Sequence, residues 1–454
     1  MPVEPAPILS VERCVELFDS VQAAAKSLHV PDVEAIFGAQ REALTRFANN
    51  NIHQNVAEQA QFLSVRVQTE QRTARATTNR FDGDSVRSAV EQAIALARSA
   101  APDSNLLPLA QPSQIPQIPR FDPSTAATLP AERARIVADA IRIVEGAGQT
   151  AAGIYSTGQS VEAIFNSQGV AAWHAETMAN FSITAMAANS SGWAKASAVS
   201  RRDMDPVALA RRAADKATLS RDPREITPGR YTVILEPAAV LDLVGQMFGD
   251  FSATAMEDQR SFLTERLNTK LFGDNIHIYD DVAHPLQAGD PFDGEGVPRR
   301  KLTLVDGGVP RQLAYSRASA QRAGVEPTGH GFPLPNEIGE APLNIVIGGG
   351  STSLDAMVAS TERGILVTRL WYIREVDPFQ KIMTGMTRDG TFLVEDGRVV
   401  AGLRNFRFNQ GLIELLNNVE AFSPPVRASG EEAFDMVVPA MKVRDFNFTE
   451  VTRF

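Results

Sequence analysis

The chain has 454 residues, 44% hydrophobic and 22% charged, which is too long for one ordinary domain and too mixed for a disordered, collagenous or coiled-coil protein. Its 44 basic and 54 acidic residues leave a net charge of -10, which argues against generic binding to nucleic-acid backbone. The single cysteine, Cys14, excludes an intrachain disulfide framework and a multi-cysteine zinc site.

In chain order, Val11, Val15, Phe18, Val21, Ala25 and Leu28 recur in steps of three or four, so residues 9–29 are expected to be a helix that Pro31 closes. Cys14 falls on its apolar side and reads as core. Residues 32–47 fit either a second helix or a strand near Leu44 to Phe47. Phe62 to Val67 alternates in part, with Arg72 to Thr78 as a hairpin partner. Val86, Ala89, Val90, Ile94 and Ala97 stripe a helix over 84–100 with Ser85 as its cap. The stretch from Pro102 to Pro130 is rich in Pro, Gln and Ser and reads as an extended linker or wrapping segment. A helix follows from Ala131 to Glu145.

Beyond Gln149 the texture becomes β-rich. Asn166-Ser167-Gln168-Gly169 is a hairpin turn between alternating segments. Helices are expected over 206–219 and from Pro237 to about Phe251, with a buried strand at Tyr231 to Leu235 between them. Turns at Asp306-Gly307-Gly308 and Glu395-Asp396-Gly397 punctuate the short strands that close the chain. The sum is an α+β protein: a helix-rich α/β N-terminal domain (1–110), a linker and central strand-rich region (111–225), and a larger β-rich C-terminal domain (226–454). No apolar run approaches the ~18 residues of a membrane-spanning helix. Met1-Pro2-Val3-Glu4-Pro5 lacks the pattern of a signal peptide. A cytoplasmic protein that engages neither membrane nor nucleic acid is the expectation.

Few residues stand out chemically. There is no HExxH and no GxSxG. His174 and Glu176 sit two apart in strand-like sequence, so both point to one face, as a metal or proton-transfer pair would or as an interface pair would. Gly348-Gly349-Gly350-Ser351 follows a strand but lacks the Gly-Lys-Ser/Thr of a phosphate loop. It is either a turn into a capped helix or a backbone nest for a substrate main chain. Asp290, Asp293 and Glu295 crowd a loop that holds two glycines and two prolines. That loop could receive a hard cation or stiffen a domain interface.

Asp293-Gly294-Glu295-Gly296, the pair Arg299-Arg300, Asp306-Gly307-Gly308 and Tyr315 resemble the TldD/PmbA family, also labelled modulator of DNA gyrase. Arg46 to Asn50, Ala76 to Asn79, Asn166 to Gly169, Gly349 to Leu354 and Gly364 to Thr368 agree with it in order and spacing. The resemblance implies proteolysis. TldD-type members are zinc metallopeptidases with HExxxH on a helix and a late cysteine. PmbA-type (TldE-type) members lack these and pair with a TldD-type subunit. Aligned on Gly245, the motif positions here are Leu241, Asp242 and Gln246, and no late cysteine exists. Leucine has no donor atom, and a glutamine carbonyl is a weak ligand.

The resemblance therefore implies no cofactor in this chain, with zinc expected in a TldD-type partner, and a non-catalytic subunit of a dimeric metallopeptidase complex that degrades unfolded or leader-type peptides. The alternatives are a stand-alone homodimeric peptide-binding or scaffold protein, or a peptidase with a non-family metal site. Candidate substrate or interface contacts are His174, Glu176, Asp293, Glu295, Gly349, Gly350 and Ser351.

Overall fold

The computed structural model describes residues 5–452. The N-terminal half is built on one antiparallel sheet. Its strands are β1 (Asp32–Ala48), β2 (Asn51–Thr69), β3 (Arg72–Thr78), β4 (Thr150–Asn166), β5 (Ala171–Met186) and β6 (Ser191–Ala198), in the order β3-β2-β1-β4-β5-β6. Residues 32–47 are thus a strand throughout. Their periodicity is blurred because Val33 to Ala39 is buried on both faces, by helices on one side and C-terminal loops on the other. Asn49 and Asn50 both take positive φ, 50° and 59°, the geometry of the tight turn that right-twisted strands prefer.

Helices Val11–Ser27 and Gly83–Ser99 pack on the face that carries Val33, Ala35, Phe37, Val65 and Phe165. Their N-termini are capped by Ser10, which accepts from Arg13 N, and by Asp82 rather than Ser85. Helices Pro130–Gly146 and Pro206–Leu219 cover the same face farther along, around Phe47, Tyr155 and Phe181. On the opposite face Ile36, Ile164 and Ala172 meet Phe292 of the C-terminal half.

The proline-rich segment is a strap laid across the sheet. Leu107 O accepts from Gln68 Nε2 (2.9 Å), and Ala110 O from Asn166 Nδ2 (2.8 Å). Position 110/111 falls inside this strap, and strands on both sides of it share the one sheet.

In the C-terminal half, strands Gly229–Leu235, Arg363–Asp377, Ile382–Glu395, Phe406–Gly411 and Met441–Val451 pair in a closed ring. A second sheet is centred on Ile278–Asp280 and Ile345–Ile347. Both enclose a large apolar core that includes helix Pro237–Val244. The expected helix to Phe251 changes at Gly245 into a 3₁₀ stretch, Gly245–Phe251. A Cβ at Gly245 would lie 2.6 Å from that of Ala433, so a neighbouring loop presses on the helix there. The Asp306-Gly307-Gly308 and Asp396-Gly397 turns stand where the sequence places them, with positive φ at Gly307, Gly308, Asp396 and Gly397. The fold is α+β, with a helix-rich α/β N-terminal half and a β-rich C-terminal one.

Candidate functional site

Helix Pro237–Val244 lies deep in the C-terminal core, and Leu241 and Asp242 are both fully buried. Loop Gly430-Glu431-Glu432 is seated on it. Asp242 Oδ1 accepts from the backbone N–H of Glu431 and of Glu432, each at 2.9 Å. The Gln246 amide donates to Asp242 O (3.1 Å) and Glu432 O (3.0 Å). Burial pushes the Asp242 carboxyl up to about 6, against the pull of the two N–H donors, and its Oδ2 has no hydrogen-bond partner among the described residues. Leu241 offers only carbon, and the side-chain N–H of Gln246 is spent on carbonyls. This set does not fit a zinc ion, which needs about three N, S or O donors and an open position. Among the described residues no three His, Cys, Asp or Glu side chains converge as a metal site would.

His174 and Glu176 lie on β5, on the sheet face turned toward the C-terminal half. Glu162 of β4 stands opposite His174. The C-terminal loop brings Asp290 and Arg299 to the same place, and the strap brings Arg120. Glu176 accepts from Gly289 N at 2.7 Å. Burial raises Glu176 and Glu162. Burial, then the Glu162 and Glu176 carboxylates, push Asp290 well above the usual range. Burial, with Arg120 nearby, takes His174 down to about 4, so its ring is neutral at physiological pH. Its Nε2, with Arg120 Nε and Arg299 Nε, has no hydrogen-bond partner among the described residues. The sequence signals His174, Glu176 and Asp290 but not Glu162 or Arg120, which lie in an ordinary strand and in a proline-rich stretch.

Asp293 and Glu295 sit beside this junction. Asp293 Oδ1 accepts from the N–H of Glu295 and of Val297, both at 2.9 Å, and Oδ2 from Gly331 N at 2.8 Å. Asp293 therefore pins its loop. Glu295 Oε1 accepts from Arg317 N at 3.0 Å. Burial, with the Asp293 carboxylate, raises Glu295 to about 7. Across the junction Glu34 holds Arg66 (2.7 Å) and Arg75 (2.7 Å), and Arg75 Nε donates to Leu334 O (2.7 Å).

Gly349, Gly350 and Ser351 are elsewhere. A Cβ at Gly349 would lie 2.6 Å from Ser423 O, and one at Gly350 2.7 Å from Phe422 O. Those glycines let the turn dock on residues 422–425, and Gly350 N donates to Ser423 O (3.0 Å). The junction and the Asp242 loop are linked by strand Val426–Ala428. Its Arg427 acts on Glu176 and bonds Ser197 (3.1 Å), and Lys195 of β6 reaches Gly430 O (2.6 Å). The upper part of the same sheet face is uncovered, with a groove of about 160 Å³ beside Gln40, Glu42, Ser160 and Met178.

Family models match most of the chain: PmbA/TldA metallopeptidase domain 1 over residues 33–97, the central domain over 118–221 and the C-terminal domain over 228–450. A metalloprotease PmbA homolog of Haemophilus influenzae is 22% identical over 84% of this chain and 85% of its own. A metalloprotease of Methanothermobacter thermautotrophicus is 24% identical over 65% of this chain and 67% of its own. Among solved structures, TldE from Thermococcus kodakarensis superposes with a TM-score of 0.87 at 19% identity, covering 95% of this chain and all of that one. A putative modulator of a DNA gyrase from Thermotoga maritima gives 0.85 at 20%, covering 96% and 100%. These likenesses show the same fold. No helix among the described residues is long and apolar enough to cross a membrane. With three consecutive family domains matched in order, the chain belongs to the PmbA/TldD metallopeptidase family.

Proposed function

We propose that this chain is the non-catalytic, TldE/PmbA-like subunit of a cytoplasmic TldD-type metallopeptidase complex that degrades unfolded or leader-type peptides. The observation that carries the reading is the sealed helix. At the family's zinc-helix positions, Leu241 is core, Asp242 is spent on two loop N–H groups and Gln246 on two carbonyls. Zinc and its activated water belong to the TldD-type partner. This chain contributes walls: a buried polar junction and an uncovered sheet face above it.

Co-expression with an HExxxH-bearing homologue from the same genome tests this. The two chains are expected to co-purify, with about one zinc per pair. Casein or leader-peptide cleavage should need the homologue and be abolished by chelator. Stoichiometric zinc in this chain alone, chelator-sensitive cleavage by it alone, or no affinity for the homologue overturns the reading.

A further inference from the structure

β1 pairs with β2 along its whole length, but β3 pairs with β2 only from Leu63 to Thr69. From Asn51 to Phe62 the outer edge of β2 has no neighbouring strand, and no backbone hydrogen bond from another part of the described chain reaches it. All residues of this stretch are exposed except Val56 and Gln61, which are half-buried. Proteins blunt such edges with lysine, proline or bulges. This one has no lysine, arginine or proline, and Glu58 is its single carboxylate. The bulge between Arg46 and Phe47 lies at the hairpin tip and leaves Gln54 to Phe62 regular.

One charge arrangement on the strand pair is unbalanced. Glu42 stands directly opposite Glu58, a destabilising like-charge pair. One step toward the tip, past Leu44 and Val56, Arg46 stands opposite Gln54 and donates to its Oε1 at 3.2 Å.

We propose that this edge docks antiparallel on the same edge of a second copy of the chain, with a twofold axis at Val56. Such an axis runs normal to the sheet and keeps each face on its own side, so residues of equal parity meet. Val56 then faces Val56 of the second copy, Asn55 faces Ala57, and Glu58 faces Gln54. The row Glu42–Glu58 of one copy continues into the row Gln54–Arg46 of the other, and the same happens in reverse. The two acids thereby gain a basic terminus on the same face. Grooves of about 480 Å³ at Gln59, Ala60, Gln61 and Asn79 and about 220 Å³ at Gly38, Gln61 and Phe62 flank the end of this edge nearest β3, whereas the proposed axis at Val56 lies where the side chains around it stand exposed. Other outermost strands of the molecule, such as Val309–Pro310 and Val426–Ala428, are far shorter.

The test uses the full chain alone, so its failure leaves the zinc-free subunit reading standing. Light scattering at micromolar concentration is expected to give a dimer mass. Val56→Cys should crosslink to itself on mild oxidation and Asn51→Cys should not. The native Cys14 does not compete, being fully buried. Asn55→Lys with Ala57→Lys sets like charges opposite each other at two places and should convert the dimer to a folded monomer with an unchanged far-UV circular dichroism spectrum and a midpoint that no longer depends on concentration. Asn55→Lys with Ala57→Glu should restore the dimer. A monomeric parent chain, a dimer indifferent to the lysine pair, or an edge that responds only to added peptide or to the TldD-type homologue overturns the proposal.

Discussion

The Asp242 helix and the junction beneath β4 and β5 are both buried and both hold carboxyl groups, yet they treat them differently. At the helix one loop supplies two N–H donors to Asp242, and a single oxygen, Oδ2, is left over. At the junction Glu162, Glu176 and Asp290 crowd together, and His174 Nε2, Arg120 Nε and Arg299 Nε all lack partners. A polar group sealed into a core must be paired, whereas one kept for water or a ligand is left free. Leu241 and Asp242 are core residues in this chain. The larger group of unpartnered polar atoms among the described residues stands between the two halves of the molecule.

The largest effect should come from breaking the buried ion-pair cluster across the junction. Glu34 is fully buried and bonds both Arg66, itself 1% exposed, and Arg75. Burial alone would raise its carboxyl, but the two guanidiniums override that and hold it low. Glu34→Gln leaves two buried cations without their carboxylate and is expected to cost about 3–5 kcal/mol by denaturant titration. A loss below about 1 kcal/mol would mean that the junction is wet and the contrast with the helix is false.

Next in size are two changes in pH dependence, one from each region. Asp242 is raised from 3.8 to about 6 and Glu295 from 4.5 to about 7, in both cases chiefly by burial. Ionising either group costs the folded state more than the unfolded chain. The stability each contributes is therefore full below its ordinary value and is lost as pH climbs through the raised one. Asp242→Asn should remove the fall between roughly pH 4 and 6, and Glu295→Gln that between roughly pH 5 and 7. Each is worth about 3 kcal/mol at 1.4 kcal/mol per unit. Profiles that stay parallel to the parent's would show these groups to be solvated.

Much of the fold was legible because its signals were local. The stripe from Val86 to Ala97, the Asn166 to Gly169 turn and the Asp396-Gly397 hairpin needed no tertiary information. β1 was ambiguous because burial on both faces erases alternation, and the Asn49-Asn50 turn passed unnoticed without a glycine. The sealing of the helix was half visible. Leu241 and Gln246 stand where the resemblance implies ligands, but nothing near Gly430 announces that its loop reaches back across almost two hundred residues to fill the space. Glu162 gains its setting from Asp290 and Arg299, which are distant in sequence, so no spacing could reveal it.

The smallest expected effect separates a seated loop from a resting one. A Cβ at Gly430 would lie 2.2 Å from Asp242 Oδ1 and 2.5 Å from Leu241 Cδ2, both belonging to a packed helix that cannot yield cheaply. Gly430→Ala should therefore cost about 1–3 kcal/mol, the usual range for overpacking. It should also speed amide exchange at Glu431 and Glu432, whose N–H groups are the ones that hold Asp242. Gly324 is the control, because it ends a short surface helix with nothing within 4 Å of its Cβ position. Its φ of 67° makes alanine costly there for backbone reasons alone, so Gly324→Ala should lower stability without touching exchange at Glu431 and Glu432. Exchange that rises in neither variant would mean that the loop merely rests on the helix, and Asp242 would again be reachable from outside.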